Sequence, residues 1–366
     1  MERDEEGFSY PFVNEDICIS CGKCIQVCPM HSVPEFNSKP RFFGVKLKSM
    51  QERMKSSSGG AFFALAKLCL KKQGAVCGAA YDEALRVHHV LAENAEKLES
   101  LRGTKYVQSD IEKAYADIHA ALMGDRYVLF SGTPCQVAGL KNYLGKEYDI
   151  LLCMDLICHG VPSAGIWQRY CQEMKPGQRV CAANMRSKEQ GIRQITLDYH
   201  LEDGTCIREP KNQSLYMKGF IQNLYVRPSC FVCPFKGIKR CSDITIGDFW
   251  ADREFYPAFA DKYGTSSVIV HTKKGMNWLK QTADDVEMIA VKKHEILCWN
   301  NSVVDSAEEN ERRAAFWEKT EHMSVTEAIG ECVIPVFPLP KPHARVDRMM
   351  NLIRRVCRRT INILRG

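Results

Sequence analysis

Four cysteines near the N-terminus stand at a spacing that suits an iron-sulfur cluster. They form the run Cys18-x2-Cys21-x2-Cys24-x3-Cys28-Pro29, which is the bacterial ferredoxin pattern for a 4Fe-4S centre. Gly22 allows the backbone to wrap closely around an inorganic core. A zinc knuckle would need a second separated pair of ligands, and a disulfide cluster would need a secreted chain. The run therefore predicts a 4Fe-4S cluster.

The fourth cysteine of this run, Cys28, leaves the number of clusters open. In two-cluster ferredoxins the fourth cysteine binds the other cluster, whereas this chain contains a single such run. Either Cys28 closes one cluster, or a first motif precedes Met1 in a longer protein. Residues 6–13 resemble the connector between two such motifs, which keeps the second alternative open.

A second group of cysteines lies in the interior of the sequence. Cys230-x2-Cys233-Pro234 has a spacing that suits a cluster, a zinc ion or a redox dithiol. Cys135 and Cys158 each follow a predicted strand, and the carboxyl ends of neighbouring strands meet at one edge in α/β folds. We therefore predict a second 4Fe-4S cluster on Cys135, Cys158, Cys230 and Cys233. In the alternative, Cys135 and Cys158 are packing or catalytic thiols.

Composition describes an ordinary globular chain with many thiols. Its 366 residues, 45% of them hydrophobic, can form two or three domains with buried cores. Its eighteen cysteines come without a secretory signal peptide, which predicts a cytoplasmic location with free thiols. The sequence lacks the run of about twenty apolar residues that a spanning helix requires. Four cysteines at apolar periodic positions are expected in the core: Cys69, Cys77, Cys153 and Cys171.

The net charge of +6 equals the charge of residues 345–366 alone. Nucleic-acid binding is typical of basic residues spread over a folded surface with interleaved aromatic side chains. The concentration of charge at one end therefore predicts that nucleic acid is not a partner.

Apolar periodicity predicts alternating strands and helices in the first half of the chain. The predicted helices are Ala61–Lys72, Ile111–Met123, Gln136–Leu144 and Ala164–Met174, and the predicted strands are Ala75–Tyr81, Tyr127–Ser131 and Ile150–Ile157. Two alternating stretches at 194–201 and 205–208, joined by a Glu-Asp-Gly turn, predict a β-hairpin. The expected fold class is therefore α/β, or α+β overall.

Changes in composition divide the chain into four predicted segments. They are a small ferredoxin-like 4Fe-4S segment (1–40), an N-terminal α/β domain (41–175), a C-terminal domain (176–333), and a Pro-rich linker with a basic amphipathic helix (334–366).

Five motifs, taken in order, resemble the beta-subunit family of coenzyme F420 hydrogenases and dehydrogenases. They are Ser57-Ser-Gly-Gly60, Arg102-Gly-Thr-Lys-Tyr-Val-Gln-Ser109, Gly132-Thr-Pro-Cys-Gln136, Cys158-His-Gly-Val-Pro-Ser163 and Ser242-Asp-Ile-Thr-Ile-Gly-Asp-Phe-Trp250. The resemblance extends from Cys18 to about Thr282. It implies an iron-sulfur protein with an FAD-binding α/β core. Such a protein passes electrons between a hydride carrier, coenzyme F420 or another organic molecule, and its clusters, and from there to a redox partner protein or subunit.

The resemblance also implies which residues bind the flavin and act in the reaction. The flavin-binding set is Ser57, Ser58, Gly59, Gly60, Lys105, Tyr106, Ser109 and Asp248, and the catalytic set is His159 and Cys135. Small residues before a helix let backbone amides approach phosphate oxygens, although the same four residues suit a plain helix cap. Each of the others also has a structural alternative: Lys105 as a solvated side chain, His159 as a donor to a backbone carbonyl, Asp248 as a turn former.

The final predicted helix, Arg345–Leu364, alternates arginine with apolar residues. Such a helix suits contact with the inner face of an anionic membrane, docking to a partner, or packing on the protein's own surface. Three functions follow: a flavin and iron-sulfur oxidoreductase, a ferredoxin-like relay without its own chemistry, and an accessory protein in surface-polysaccharide pyruvylation. The first is the leading prediction.

Overall fold

The computed structural model describes residues 1–33 and 39–334. The predicted helix at 345–364, and with it the predicted membrane contact, lies outside the described residues. In the part of the chain that is described, no helix has the length and apolar character needed to cross a membrane. Met1–Cys332 forms one compact unit.

Strands supply the framework of this unit. They are β1 (Glu2–Arg3), β2 (Ser9–Tyr10), β3 (Arg41–Leu47), β4 (Ala75–Tyr81), β5 (Val87–Ala92), β6 (Val128–Gly132), β7 (Leu151–Leu156), β8 (Val180–Ser187), β9 (Thr196–Leu201), β10 (Cys206–Pro210), β11 (Ile244–Asp248), β12 (Ser266–Val270) and β13 (Val286–Ala290).

Helices connect and cover these strands. They are α1 (Lys23–Gln26), α2 (Met50–Met54), α3 (Ala61–Lys71), α4 (Ala95–Leu101), α5 (Ala114–Met123), α6 (Pro134–Leu144), α7 (Ala164–Glu173), α8 (Leu215–Ile221), α9 (Asp252–Phe255), α10 (Lys273–Lys280), α11 (Lys293–Leu297), α12 (Arg313–Thr320) and α13 (Val325–Cys332). Two 3-10 turns lie at Pro228–Cys230 and Asn301–Val303.

An eight-stranded sheet forms the centre, in the order β13-β3-β12-β11-β7-β6-β4-β5. Its middle strands β4, β6, β7 and β11 run parallel, and the outer strands pair antiparallel. Parallel strands are buried on both faces, as β7 shows: Leu152 and Met154 face the core under α3, whereas Leu151 and Cys153 face the core under α5 and α6. The predicted α/β class is confirmed as a mixed α/β fold.

Most predicted elements appear within a residue or two of their expected bounds. Two helices begin elsewhere, each for a local reason. The helix predicted from Ile111 begins at Ala114, because Glu112 has a left-handed φ of 45° that interrupts helical geometry. The helix predicted from Gln136 begins at Pro134, because proline suits the first helical position and Thr133 caps the helix reciprocally with Gln136. The four cysteines expected in the core are buried.

The predicted hairpin is confirmed as β9 and β10, which with β8 form a separate three-stranded antiparallel sheet. The central sheet takes strands from both predicted segments 41–175 and 176–333, since β3 pairs with β12 and β13 and β7 pairs with β11. The two segments therefore share one body.

Three parallel strands, β6, β7 and β11, end at the same edge of the central sheet. Gly132, Cys158 and Asp248, which belong to three different motifs, lie at or just beyond these three ends. Crevices for ligands form at such carboxyl edges in open α/β sheets. The fold therefore collects three of the five sequence motifs on one side.

Candidate iron-sulfur and flavin site

The ferredoxin-type run lies on the surface as a loop around one short helix. Cys18, Cys21 and Cys24 are exposed and Cys28 is partly buried. The loop turns through left-handed residues, including Gly22 with a φ of 69°, where an added Cβ would meet no atom within 4 Å. Glycine is needed there for backbone geometry rather than for space. Within the described residues, none of the four sulfurs makes a hydrogen bond, so hydrogen bonding leaves all four available as ligands.

This loop is fastened to α6. Asn142, near the end of α6, donates from Nδ2 to the backbone carbonyl oxygens of Val27 (3.4 Å) and Ser32 (2.6 Å). Cys135 is the second residue of the same helix. One helix therefore carries the ferredoxin-type run near its carboxyl end and a ligand of the predicted second cluster at its amino end.

The four cysteines of the predicted second cluster come from loops that the fold joins directly. Arg227 N donates to Val161 O (2.9 Å), and Pro162 pairs with Val226 in an isolated bridge, so the loop after β7 lies against the segment before Cys230. A Cβ added to Gly160 would lie 3.4 Å from Cys230 Cβ. Cys135 and Cys233 both pack against the core under α6.

Electrostatics shows that these four thiols act on one another. Burial raises the pKa of Cys158, and the negative charges of Cys230, Cys135 and Cys233 raise it further. Burial also raises the pKa of Cys230 to about 11 and that of Cys135, each again with contributions from neighbours in the group. Buried thiols with raised pKa values, as in Cys135, Cys158 and Cys230, need a cation or cluster nearby to exist as thiolates.

In residues 1–33 and 39–334, no three His, Cys, Asp or Glu side chains are placed to hold one metal ion. Four cysteine ligands of a 4Fe-4S cube stand farther apart than four ligands of one tetrahedral ion.

The Ser57–Gly60 loop before α3 is packed tightly from behind. Ser58 Oγ donates to Thr265 O (2.9 Å), and the buried Lys188 Nζ donates to Ser58 O (2.7 Å). A Cβ on Gly59 would clash with the Val45 carbonyl oxygen. In the described chain, the amides of residues 57–60 donate no hydrogen bond. Free amides at the start of an eleven-residue helix fit a phosphate group.

The Arg102–Ser109 motif lies beside this loop. Thr104 Oγ1 donates to Ser57 Oγ (2.8 Å). Lys105 Nζ points the other way: it donates to Ser100 O (2.9 Å) and Arg102 O (2.8 Å) at the end of α4. Burial lowers the pKa of Lys105 to about 7. Its amino group therefore holds the motif to α4.

Tyr106 and Asp248 are joined by a residue that sequence reasoning did not identify. Arg186, at the end of β8, donates to both carboxylate oxygens of Asp248 (2.9 and 3.0 Å) and to Tyr106 Oη (3.0 Å). The arginine side chain is 5% exposed and that of Asp248 16%. No motif in the sequence indicated Arg186, which lies in the strand β8.

His159 and Ser109 each have a buried partner. His159 Nε2 lies 2.6 Å from Asn223 Oδ1 and its ring stands edge-on to Phe220, which in turn packs on Tyr106. The partner is thus a side-chain amide, not the backbone carbonyl of the structural alternative. Ser109 Oγ lies 2.7 Å from Nδ1 of His89, another residue that the motifs did not indicate.

A groove of about 770 Å³ opens next to these residues. Its basic lining residues include Lys211, whose Nζ lies 5.8 Å from the centre of the Tyr106 ring, and Arg193. Trp250 supplies an aromatic wall, 5.8 Å from the Arg186 guanidinium. The groove can therefore receive a flat molecule with negative charge.

Comparison with known sequences assigns this arrangement to the iron-sulfur proteins. Residues 11–32 match the 4Fe-4S binding domain. Residues 125–295 match the family described as the C terminus of the beta subunit of Coenzyme F420 hydrogenase/dehydrogenase. The resemblance seen in the motifs is confirmed as similarity to that family over residues 125–295. The protein is thus an iron-sulfur, oxidoreductase-related chain.

Two further comparisons concern whole proteins. No curated protein matches the chain. A chain in the structure titled "Xenon derivatization of the F420-reducing NiFe hydrogenase complex from Methanosarcina barkeri" is similar at 16% identity, with 84% of this chain and 97% of that chain covered and a TM-score of 0.48.

Proposed function

We propose that this protein is a flavin-containing, iron-sulfur oxidoreductase subunit that moves electrons between an organic hydride carrier, coenzyme F420 or a similar molecule, and a redox partner protein. The observation that carries the proposal is the convergence of four cysteines with the Ser57–Gly60, Tyr106 and Asp248 motifs at one edge of the central sheet. FAD, when bound, accepts two electrons as hydride and passes them on singly to 4Fe-4S clusters.

Each part of the proposed flavin site has a distinct task. The free amides of residues 57–60 would hold phosphate oxygens, with the α3 dipole behind them. Asp248, held in place by Arg186, would accept hydrogen bonds from a ribose or ribityl hydroxyl. His159, fixed by Asn223, stands next to Cys158 and is placed to hold or move a proton. Burial lowers the pKa of His159, which favours its neutral form.

The groove beside Trp250 is the proposed entrance for the organic hydride carrier. Its aromatic wall suits a planar ring system, and Lys211 and Arg193 suit a negatively charged tail. The contact of Lys211 with Tyr106 connects the groove to the proposed flavin site.

The ferredoxin-type run is the proposed outlet toward the partner. Cys135 and Asn142 are seven residues apart on α6, which corresponds to roughly 10 Å along the helix. Large apolar side chains are exposed around the run to an unusual degree for a protein surface: Tyr10, Phe12, Val13, Ile17, Ile19, Ile25, Met30 and Val33. An apolar surface around a cluster suits docking of another redox protein.

Iron, sulfide and flavin content per chain tests the proposal directly. After anaerobic reconstitution we expect about eight irons and one FAD, since each centre contains four irons. Cys230→Ser should reduce the iron to about four per chain, whereas the control Cys181→Ser, at an exposed cysteine of β8, should leave it at about eight. Iron without flavin would contradict the proposal and favour a relay without its own chemistry.

A further inference from the structure

Five polar residues form a buried cluster beneath the edge that carries the four cysteines. Each is at least nine-tenths buried: Asp155, Arg240, Ser242, Thr245 and His271. Asp155 is near the end of β7 and Thr245 is its registered neighbour on β11. Arg240 Nε lies 3.9 Å from Asp155 Oδ2, and His271 Nε2 lies 2.8 Å from Thr245 Oγ1. We call these five residues the Asp155 cluster.

Many atoms of the Asp155 cluster lack a hydrogen-bond partner among the described residues. They are Asp155 Oδ1 and Oδ2, Arg240 Nε and Nη1, Ser242 Oγ and His271 Nδ1. Folded proteins rarely leave so many buried polar atoms unpaired, and ordered water is the usual partner in such places. The Asp155 cluster therefore holds buried polar atoms, including both carboxylate oxygens of Asp155, whose hydrogen-bonding capacity the described residues leave unused.

The Asp155 cluster is connected to the four cysteines by short stretches of chain. Asp155 precedes Cys158 by three residues, so their Cα atoms are at most about 10 Å apart. Lys236, between Cys233 and Arg240 in sequence, donates from Nζ to Cys158 O (2.5 Å). Charges separated by this distance in a buried setting act on each other appreciably.

We propose that Asp155 takes up a proton when the cluster held by Cys135, Cys158, Cys230 and Cys233 is reduced. One electron enters the cluster, and one proton from solvent bonds to a carboxylate oxygen of Asp155; oxidation releases both, and no other bond changes. This inference rests on the proposed second cluster. In this inference Asp155 is a proton-binding site close to the second cluster, and the reduction potential of such a cluster depends on nearby charge and hydrogen bonds.

The surroundings of Asp155 allow both protonation states. Burial raises the pKa of Asp155 to about 6, against the opposing effects of Arg240 and of nearby hydroxyl groups. From the segment that leads into β11 and from β12, the facing groups are Arg240, Cys241 and His271, and burial keeps His271 neutral by lowering its pKa to about 3. Lys236 adds a positive charge from the side of Cys158. Even with Arg240 and Lys236 nearby, burial favours the protonated form of this carboxylate when further negative charge arrives.

Redox titration of the reconstituted full chain at several pH values tests this proposal. The second cluster is identified as the centre whose EPR signal is lost in Cys230→Ser. Above about pH 6 its reduction should become tenfold less favourable per pH unit, which is about 59 mV for a one-electron couple. Asp155→Asn should remove this slope, Asp155→Glu should restore it, and the control Asp198→Asn, at a buried carboxylate of β9, should keep it.

The proposal would be overturned if the reduction potential of the second cluster did not depend on pH, or if its pH dependence persisted in Asp155→Asn. Either result would leave the proposed function intact. Absence of any second-cluster signal in the wild type would overturn both. If Asp155→Asn does not accumulate as folded protein, the wild-type slope and its retention in Asp155→Glu decide the matter.

Discussion

The Arg186–Asp248 ion pair should be a main support of both the fold and the proposed flavin site. Arg186→Met leaves the Asp248 carboxylate with little solvent and without its two hydrogen bonds. Breaking a buried pair on one side costs about 3–5 kcal/mol. Because Asp248 retains some exposure, we expect Arg186→Met to lower the free energy of unfolding by about 3 kcal/mol, the lower end of that range.

A double-mutant cycle measures this pair. Asp248→Asn alone and Arg186→Met alone should each destabilise, and the double variant should be more stable than their sum by about 1–3 kcal/mol, as expected for residues in contact. The control Arg179→Met removes an exposed arginine paired with the exposed Glu202 and should cost at most about 1 kcal/mol. Urea midpoints at constant m value give these energies.

The flavin content of the same variants tests whether the Arg186–Asp248 pair contributes to the proposed flavin site. Arg186→Met and Asp248→Asn should both lose FAD after reconstitution, whereas Arg179→Met should retain it. Simple additivity of the two single variants would refute the energetic argument. Full flavin content in Asp248→Asn would refute the assignment of Asp248 to the flavin.

Three further results are expected. Asn142→Ala should speed the loss of iron from the ferredoxin-type run to a chelator, because it removes both hydrogen bonds to that loop; an unchanged rate would contradict the attachment to α6. Gly59→Ala should lower flavin content and the urea midpoint, since its Cβ would meet the Val45 carbonyl, whereas Gly124→Ala, with only ordinary contacts, should change neither. The pKa of His89 is lowered by burial to about 4, so the folded state binds fewer protons than the unfolded state between about pH 6.5 and pH 4. Stability should fall by up to about 3 kcal/mol as the pH is lowered across that window, and His89→Gln should flatten the dependence of the urea midpoint on pH.

The sequence was sufficient for features whose signal is local. The ferredoxin-type run, the parallel strands β4, β6 and β7, and the hairpin β9–β10 each follow from spacing or periodicity over a few residues. Boundaries failed where one residue decided them, as at Glu112 and Pro134. These residues act through backbone geometry that periodicity does not record.

The sequence did not predict contacts between residues far apart in the chain, because no local pattern encodes them. In the sequence, Arg186 does not differ from other residues of a strand. Its structural role comes from its ion pair with Asp248, which lies 62 residues further along the chain. His89 and Lys188 are similar: each is a lone polar residue whose role appears only when Ser109 or Ser58 is placed beside it. The pairing of β7 with β11 likewise depends on tertiary structure and has no local signal in the sequence.

The position of β3 in the central sheet has a consequence for the order of events during synthesis. β3 pairs only with β12 and β13 among the described strands, so residues 41–47 find their partners after residue 290 has been made. Contacts between distant parts of a chain slow folding and leave strand edges open in the meantime. The N-terminal cysteine run, in contrast, is complete once residue 28 has been made. A maturation system that delivers clusters would therefore meet the acceptor at the amino terminus early, and the proposed second acceptor, which awaits almost the whole protein, late.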